Sequence, residues 1–453
     1  MKGAMLASLR GGRLGQRLRI TGSSALAGST ILQNLVRIVS TMCLTRLLAP
    51  DVYGIVGMIA STLYVINMLS DVGFQSYVVR HHRTDEQEFL SSVWTIHAVR
   101  GVLLTGVGII VAWPVSLVLA KPELAAPLMV TAFTFAIEGQ QSLNQFRALR
   151  EGRVQKLALM DLTIGVSQTI AAIIFAFFIR NVWAIVAAGL VGSSVRVCMS
   201  YVLFPGGRHS FRPDREVAAD LWRFSRMIAG SSVVYLIITQ VDKLAMARIL
   251  SLTQFGTYMI ASTLAAAPMA FAFSYTSGIV YPATAAAWRA GHSVSDAYYR
   301  CWGRFFYLYA FGGGVLIGAA DLIIRFLYDP RYLPSARYLS ILAIATAMAM
   351  VTRAMQEVMI ANGRTQALFE LHMVRLIWLI AGGLLALAYY NAMILVLTIG
   401  LMEIPVYFYG CWQMRRQHLL RWKRELTLPL TIGAGLLVGG AMTVLGRILL
   451  PNL

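Results

Sequence analysis

An arginine inside an apolar helix is costly to leave against lipid, so its position and neighbours carry information. Arg37 lies about midway along an apolar stretch that opens near residue 24. Thr30, Gln33 and Ser40 fall three or four residues apart on its helical face. No acidic residue shares that face, and Arg37 is too deep to snorkel to either end of the helix. A guanidinium placed this way suits an anion, whose oxygens it can meet two at a time. A second stripe, Ser232, Tyr235, Thr239 and Asp242, coincides with the first, position for position, about two hundred residues later. Lys243 follows it, about 100° further round the helix.

Other ionisable residues also interrupt apolar stretches: Arg100, Glu138, Asp161, Arg196, Arg353, Arg375 and Glu403. Charges within a bilayer cost several kcal/mol if they face lipid, so each marks a water-filled cavity or an ion pair. The set expected to line a cavity and meet cargo is Arg37, Gln33, Arg100, Glu138, Asp161, Tyr235, Asp242, Lys243, Arg353 and Arg375. Its competitor is hydrogen-bonded glue between helices. For Arg37 that competitor takes the form of a pair with Asp242 or Glu138 that only pins helices. Asp321 and Arg325, four apart, read as a structural pair on one helix face. Arg353 and Glu357 share that spacing, beside Gln356.

Composition says what must position these residues. The chain is 58% hydrophobic and 13% charged, where soluble domains carry about 25% charged residues. It is an all-α polytopic membrane protein. The net charge of +19 is spread over short loops, the signature of topology rather than of a nucleic-acid face. The four cysteines are scattered and fit helix packing, and His81-His82 has no further ligands beside it, so no metal site is expected. No P-loop, dinucleotide turn or Ser/His/Asp constellation stands out. Extracytoplasmic loops of a few residues argue against a membrane enzyme acting on lipid-linked sugars.

Apolar runs near 24–48, 54–78, 90–119, 124–146, 156–179, 182–204, 222–247, 256–285, 301–327, 335–361, 365–390, 392–412 and 427–450 give about thirteen spans, within an expected range of 12–14. Lys and Arg in alternate loops sum to about 25 against about 5, which places the N-terminus in the cytoplasm. Two echoes expose a duplication. Leu44 to Gly54 returns as Met246 to Gly256, and Glu151-Gly152-Arg153-Val154-Gln155 returns as Asn362-Gly363-Arg364-Thr365-Gln366. The expected organisation is a basic N-terminus (1–23), a six-helix lobe (24–204), a cytoplasmic linker (205–221), a second six-helix lobe (222–412), and a basic loop with one extra helix (413–453). The two six-helix repeats would be parallel, with a central cavity between the lobes.

Leu44-Thr45-Arg46-Leu47-Leu48-Ala49-Pro50-Asp51-Val52-Tyr53-Gly54, followed by Ser70-Asp71-Val72-Gly73-Phe74, resembles the "R-L-L-x-P-x-x-Y-G … D-x-G" region of the polysaccharide transporter family. Trp222-Arg223-Phe224-Ser225 and Gln240-Val241-Asp242-Lys243 resemble its seventh-helix region. That family holds the Wzx-like oligosaccharide flippases of the MOP superfamily. The resemblance implies translocation of an undecaprenyl-diphosphate-linked oligosaccharide across a bacterial inner membrane, for lipopolysaccharide, capsule or exopolysaccharide synthesis. It implies alternating access and no cofactor, and leaves proton or sodium coupling open. The partners would be the lipid-linked cargo, membrane lipid and a polymerase or export machinery, with no nucleic acid. The alternatives are a cation-coupled multidrug antiporter of the same superfamily and a membrane enzyme or polymerase acting on lipid-linked sugars.

Overall fold

Where no water can reach the backbone, each N–H and C=O must find its partner within its own segment, so long apolar stretches fold as helices. The computed structural model describes residues 32–33, 35–70, 73–207 and 209–449, without the side chains of 154, 226–235, 237–239, 241–242 and 365. In chain order the helices begin with α1 (35–47), α2 (Pro50–Leu69), α3 (Phe74–Arg80), α4 (Gln87–Val118), α5 (Ala125–Glu138), α6 (Asn144–Arg150) and α7 (Val154–Ile179). Next come α8 (Val182–Val202), α9 (Arg215–Ile249), α10 (Leu252–Tyr275), α11 (Tyr281–Arg289), α12 (Val294–Cys301) and α13 (Arg304–Gly318). The chain closes with α14 (Ala320–Leu327), α15 (Ser335–Ala361), α16 (Thr365–Ala388), α17 (Ala392–Leu401), α18 (Glu403–Arg416), α19 (Trp422–Glu425) and α20 (Thr427–Leu449).

Among the described residues, 9 helices are long and apolar enough to cross a membrane, and α13 with α14, bent by 76°, would make a tenth. The remaining apolar runs of the sequence also lie on helices but miss that measure for separate reasons. The first is only partly described. The fourth falls on α5, a helix of 14 residues. The seventh falls on α9, many of whose side chains lie outside the described residues.

Two compact units emerge, one of residues 1–40 and 62–235, the other of 41–61 and 236–453. In the first unit, α4 packs on α5 and α7 on α8. A Cβ on Gly101 would lie only 2.5 Å from the Phe135 carbonyl, so glycine is what lets α4 and α5 approach. The linker after α8 is docked rather than loose. Gln87 donates to the Gly207 carbonyl (2.8 Å), and the Arg212 amide donates to Thr95 Oγ1 (2.8 Å). His209 accepts the Leu143 amide at Nε2 (3.2 Å) and stacks on Trp94. Burial pushes the His209 ring down to about 4, so it sits neutral.

In the second unit the Leu44–Gly54 stretch packs on its own repeat. A Cβ on Gly54 would overlap the Leu252 carbonyl, and one on Gly256 would overlap the Pro50 carbonyl. Two helix N-termini thus cross at reciprocal glycines. The loop before α15 closes over the end of α1: Tyr332 donates to the Leu48 carbonyl (2.9 Å), and Arg331 to those of Thr45 (3.2 Å) and Arg46 (3.3 Å). The C-terminal α20 lies along α13, with Gly314 and Gly318 against Gly435 and Gly439.

The duplication is visible in loop geometry. Arg180 (φ 52) and Tyr390 (φ 49) each turn left-handed before an Asn N-cap, Asn181 for α8 and Asn391 for α17. Gly152 (φ 75) and Gly363 (φ 69) do the same ahead of α7 and α16.

Candidate functional site

Each unit carries a set of ionised groups within its spans, and the two sets differ in kind. In the first unit Asp161 on α7 and Glu138 at the end of α5 flank Arg196 on α8. The guanidinium is 3.8 Å from each carboxylate, and Ser193 donates to Glu138 at 2.8 Å. Arg196 is 34% exposed, Glu138 42% and Asp161 50%. Asp161 stands seven residues into α7, about 10 Å from its start at 1.5 Å per residue. Arg196 stands six residues from the end of α8, at a matching depth. Against lipid, half-open charges at that depth would cost up to several kcal/mol.

In the second unit Arg375 on α16 and Glu403 on α18 form a buried pair, 7% and 5% exposed. The contact is bidentate, at 3.2 and 2.9 Å. With its amide oriented oxygen toward the guanidinium, Gln356 on α15 accepts from Arg375 at 3.0 Å. Acid and base have exchanged helices relative to the first unit, where the acid sits on the earlier helix. One set is open, the other is sealed. A sealed pair of this kind ties three helices together and commits most of the guanidinium's donors.

The other residues singled out in the sequence divide similarly. Arg100 spends its donors on the end of α2: the Ser70 carbonyl (2.9 Å), the Asn67 carbonyl (3.0 Å), and the Asn67 and Ser70 side chains (2.8 Å each). It also lies over the Phe74 ring at 5.8 Å. That is a C-cap built from another helix. Arg353 on α15 lies over Phe273 at 5.5 Å, half-buried. Asp321 pairs with Arg325 (3.0 Å) and also with Arg447 of α20 (2.9 Å), as a structural link. Arg37 is exposed on α1, with Gln33 half-buried ahead of it. Lys243 is half-buried on α9, and the side chains of Tyr235 and Asp242 lie outside the described residues.

Sequence reasoning noticed Arg196 inside a span but left it out of the expected cavity, although it stands between two members of that set. Nothing in local spacing signals this, because its partners come from two other helices. Glu425 was missed altogether. It is 1% exposed and accepts from Tyr299 (2.8 Å) and Tyr407 (2.9 Å). Its setting among Arg421, Lys423 and Arg424 disguises it as part of a solvated basic loop.

Two solved structures share this architecture. The lipid II flippase MurJ, in an inward closed conformation, matches with a TM-score of 0.70 at 14% identity over 95% of this chain and 99% of that one. An inward-facing MATE multidrug transporter of the MOP superfamily matches at 0.64 with 15% identity, over 88% and 98%. The chain is therefore a multi-pass, all-helical membrane protein whose fold is like theirs.

Residues 43–309, more than half of the chain, match the family described as Polysaccharide biosynthesis protein, and the chain belongs to that family. It is similar to the succinoglycan biosynthesis transport protein ExoT of Rhizobium meliloti, 23% identical over 54% of this chain and 50% of that one. It is similar also to the lipopolysaccharide biosynthesis protein WzxC of Escherichia coli, 25% identical over 59% and 54%. The matches to these two span about half the length of each relative. An uncharacterized membrane protein in the cps region of Klebsiella pneumoniae is 23% identical over 80% of this chain and 74% of that one.

Proposed function

We propose that this protein moves an undecaprenyl-diphosphate-linked oligosaccharide from the inner to the outer leaflet of a bacterial inner membrane, for an exported polysaccharide. The observation that carries the reading is the half-exposed group Glu138–Arg196–Asp161 within the spans. A chain that only had to hold its helices together would seal such charges, as Arg375 and Glu403 are sealed. Membership in a polysaccharide biosynthesis family supports an oligosaccharide cargo, and a diphosphate needs cationic forks to leave water.

In this reading Arg37 and Arg196 face the anionic part of the cargo. Gln33 lies on the same path, which opens to each side of the membrane in turn. The N-terminus lies in the cytoplasm. A null strain should accumulate lipid-linked repeat units on the cytoplasmic leaflet and stop exporting polymer. Normal export, in a strain with no related transporter, would refute the flippase reading.

The MATE-like fold and the two half-open carboxylates favour one second reading, cation-coupled efflux of small cations. Purified protein in vesicles separates the two. Proton- or sodium-driven release of a cationic dye, without movement of lipid-linked sugar, would establish efflux.

A further inference from the structure

The loop ahead of α7 and the loop ahead of α16 are the same turn built twice, and they differ at one charged position. In the first unit Arg153 is held by Glu151, Nε to Oε2 at 2.7 Å, and the other oxygen of that carboxylate meets Arg147 at 3.4 Å. In the second unit Asn362 stands where Glu151 stands. The turn is unchanged, with Gly363 left-handed like Gly152. Its arginine has lost its carboxylate: among the described residues Arg364 makes no ion pair and lines a cavity of about 620 Å³ instead.

Arg416, from the last turn of α18, lines the same cavity and also makes no ion pair among the described residues; it lies over the Trp412 ring at 4.8 Å. Gln366, Glu370 and Gln413 complete the polar wall. Glu370 is the one acid there, and it is tied back. Tyr409 (2.6 Å) and Gln413 (2.7 Å) donate to one oxygen, Gln366 (3.2 Å) to the other. Two guanidiniums that form no ion pair among the described residues, around a space of this size, are arranged to take an anion of several oxygens.

The surroundings say what carries that anion. Phe369, Phe408 and Trp412, neighbours of Glu370, Tyr409 and Gln413, are all exposed. Both chain segments belong to the Arg-rich side of the sequence. Exposed aromatics beside a basic pocket at a helix end are where acyl chains meet headgroups. We propose that the Arg364–Arg416 cavity binds a phosphate-bearing anion, as the headgroup of an anionic phospholipid. The site is separate from the ionised groups of the spans, and its test needs no transported cargo, so it stands or falls apart from the flippase reading.

The full chain in phosphatidylcholine nanodiscs, with graded phosphatidylglycerol, reports bound anionic lipid by native mass spectrometry. The double variant Arg364→Gln/Arg416→Gln should bind it about tenfold or more weakly. Asn362→Glu restores the carboxylate of the first unit without removing either arginine, and should weaken binding while the protein stays folded. Glu370→Gln should tighten it. Arg153→Gln, which alters the sealed copy of the turn, should change nothing. Inorganic phosphate and pyrophosphate form the second arm. If they bind and displace no lipid, the anion is a soluble phosphate; if they compete with lipid, the headgroup assignment stands. Undiminished lipid and phosphate binding in both the double variant and Asn362→Glu would overturn the site, as would an equal loss in Arg153→Gln.

Discussion

Two arginines show how one residue type serves two ends. Arg196 is one-third exposed between two carboxylates, and Arg375 is sealed against one. Replacing Arg375 by Gln strands Glu403 without a counter-charge in a dry interface, at a cost of about 3–5 kcal/mol. The expected outcome is a clear fall in melting temperature and in membrane abundance, measured by thermal shift on purified protein. Arg375→Met with Glu403→Leu should recover most of the stability, because the buried charges leave together. Arg196→Gln should behave oppositely, with near-normal abundance and lost export. Arg37→Ala belongs with Arg196, and Arg37→Lys should restore export only in part, since an ammonium lacks the two-pronged fork. Normal export by both Arg196→Gln and Arg37→Ala would remove them from the cargo path.

Helix contacts set the next scale. Gly256 and Gly54 let α10 and α2 cross with each N-terminus against the other's backbone. Gly256→Ala would drive a methyl group into the Pro50 carbonyl, and backbone cannot yield as a flexible side chain can. Loss of folded protein is expected, read as aggregation on size-exclusion chromatography, while Gly278→Ala, with open space around it, should be tolerated. The docked linker has a pH dependence of definite sign. His209 is held near 4 in the folded protein and reverts to about 6.5 when exposed. Its contribution is therefore complete above about pH 6.5 and is lost as pH falls toward 4. The protection factors of the Leu143 amide and of the linker, corrected for the intrinsic slowing of exchange in acid, should fall between pH 7 and pH 5, and His209→Gln should flatten that change.

At the scale of the whole molecule, export polysaccharide synthesis is the process in which a null phenotype is expected, and leaflet location is the measurement that decides. The wild type should render lipid-linked repeat units accessible to a membrane-impermeant oxidant outside the cell. A strain lacking the protein should keep them hidden until it is permeabilised. The Arg196→Gln variant should match the null strain at normal protein level. Arg375→Met/Glu403→Leu should match the wild type.

Composition and periodicity by themselves determined the all-helical membrane class, the helical segments and the internal duplication. These depend on local matters: apolar length, backbone satisfaction in lipid, and turns that need a left-handed glycine. The family pattern around Arg46, Pro50, Tyr53 and Gly54 was legible for the same reason, since it is a contiguous stretch. Which charges are open and which are sealed was decided only by tertiary structure. Asp161 and Arg375 look equivalent along the chain, both ionisable residues inside apolar helices. Their difference lies in partners 19 to 35 residues away. Arg375 is closed by Glu403 and Gln356, whereas Asp161 shares Arg196 with Glu138 in a setting that stays half-exposed. Arg100 likewise reads as a stray cation until Asn67 and Ser70 fold back to meet it. A charge's role in a membrane depends on whether water or a counter-charge reaches it, and both arrive from other helices.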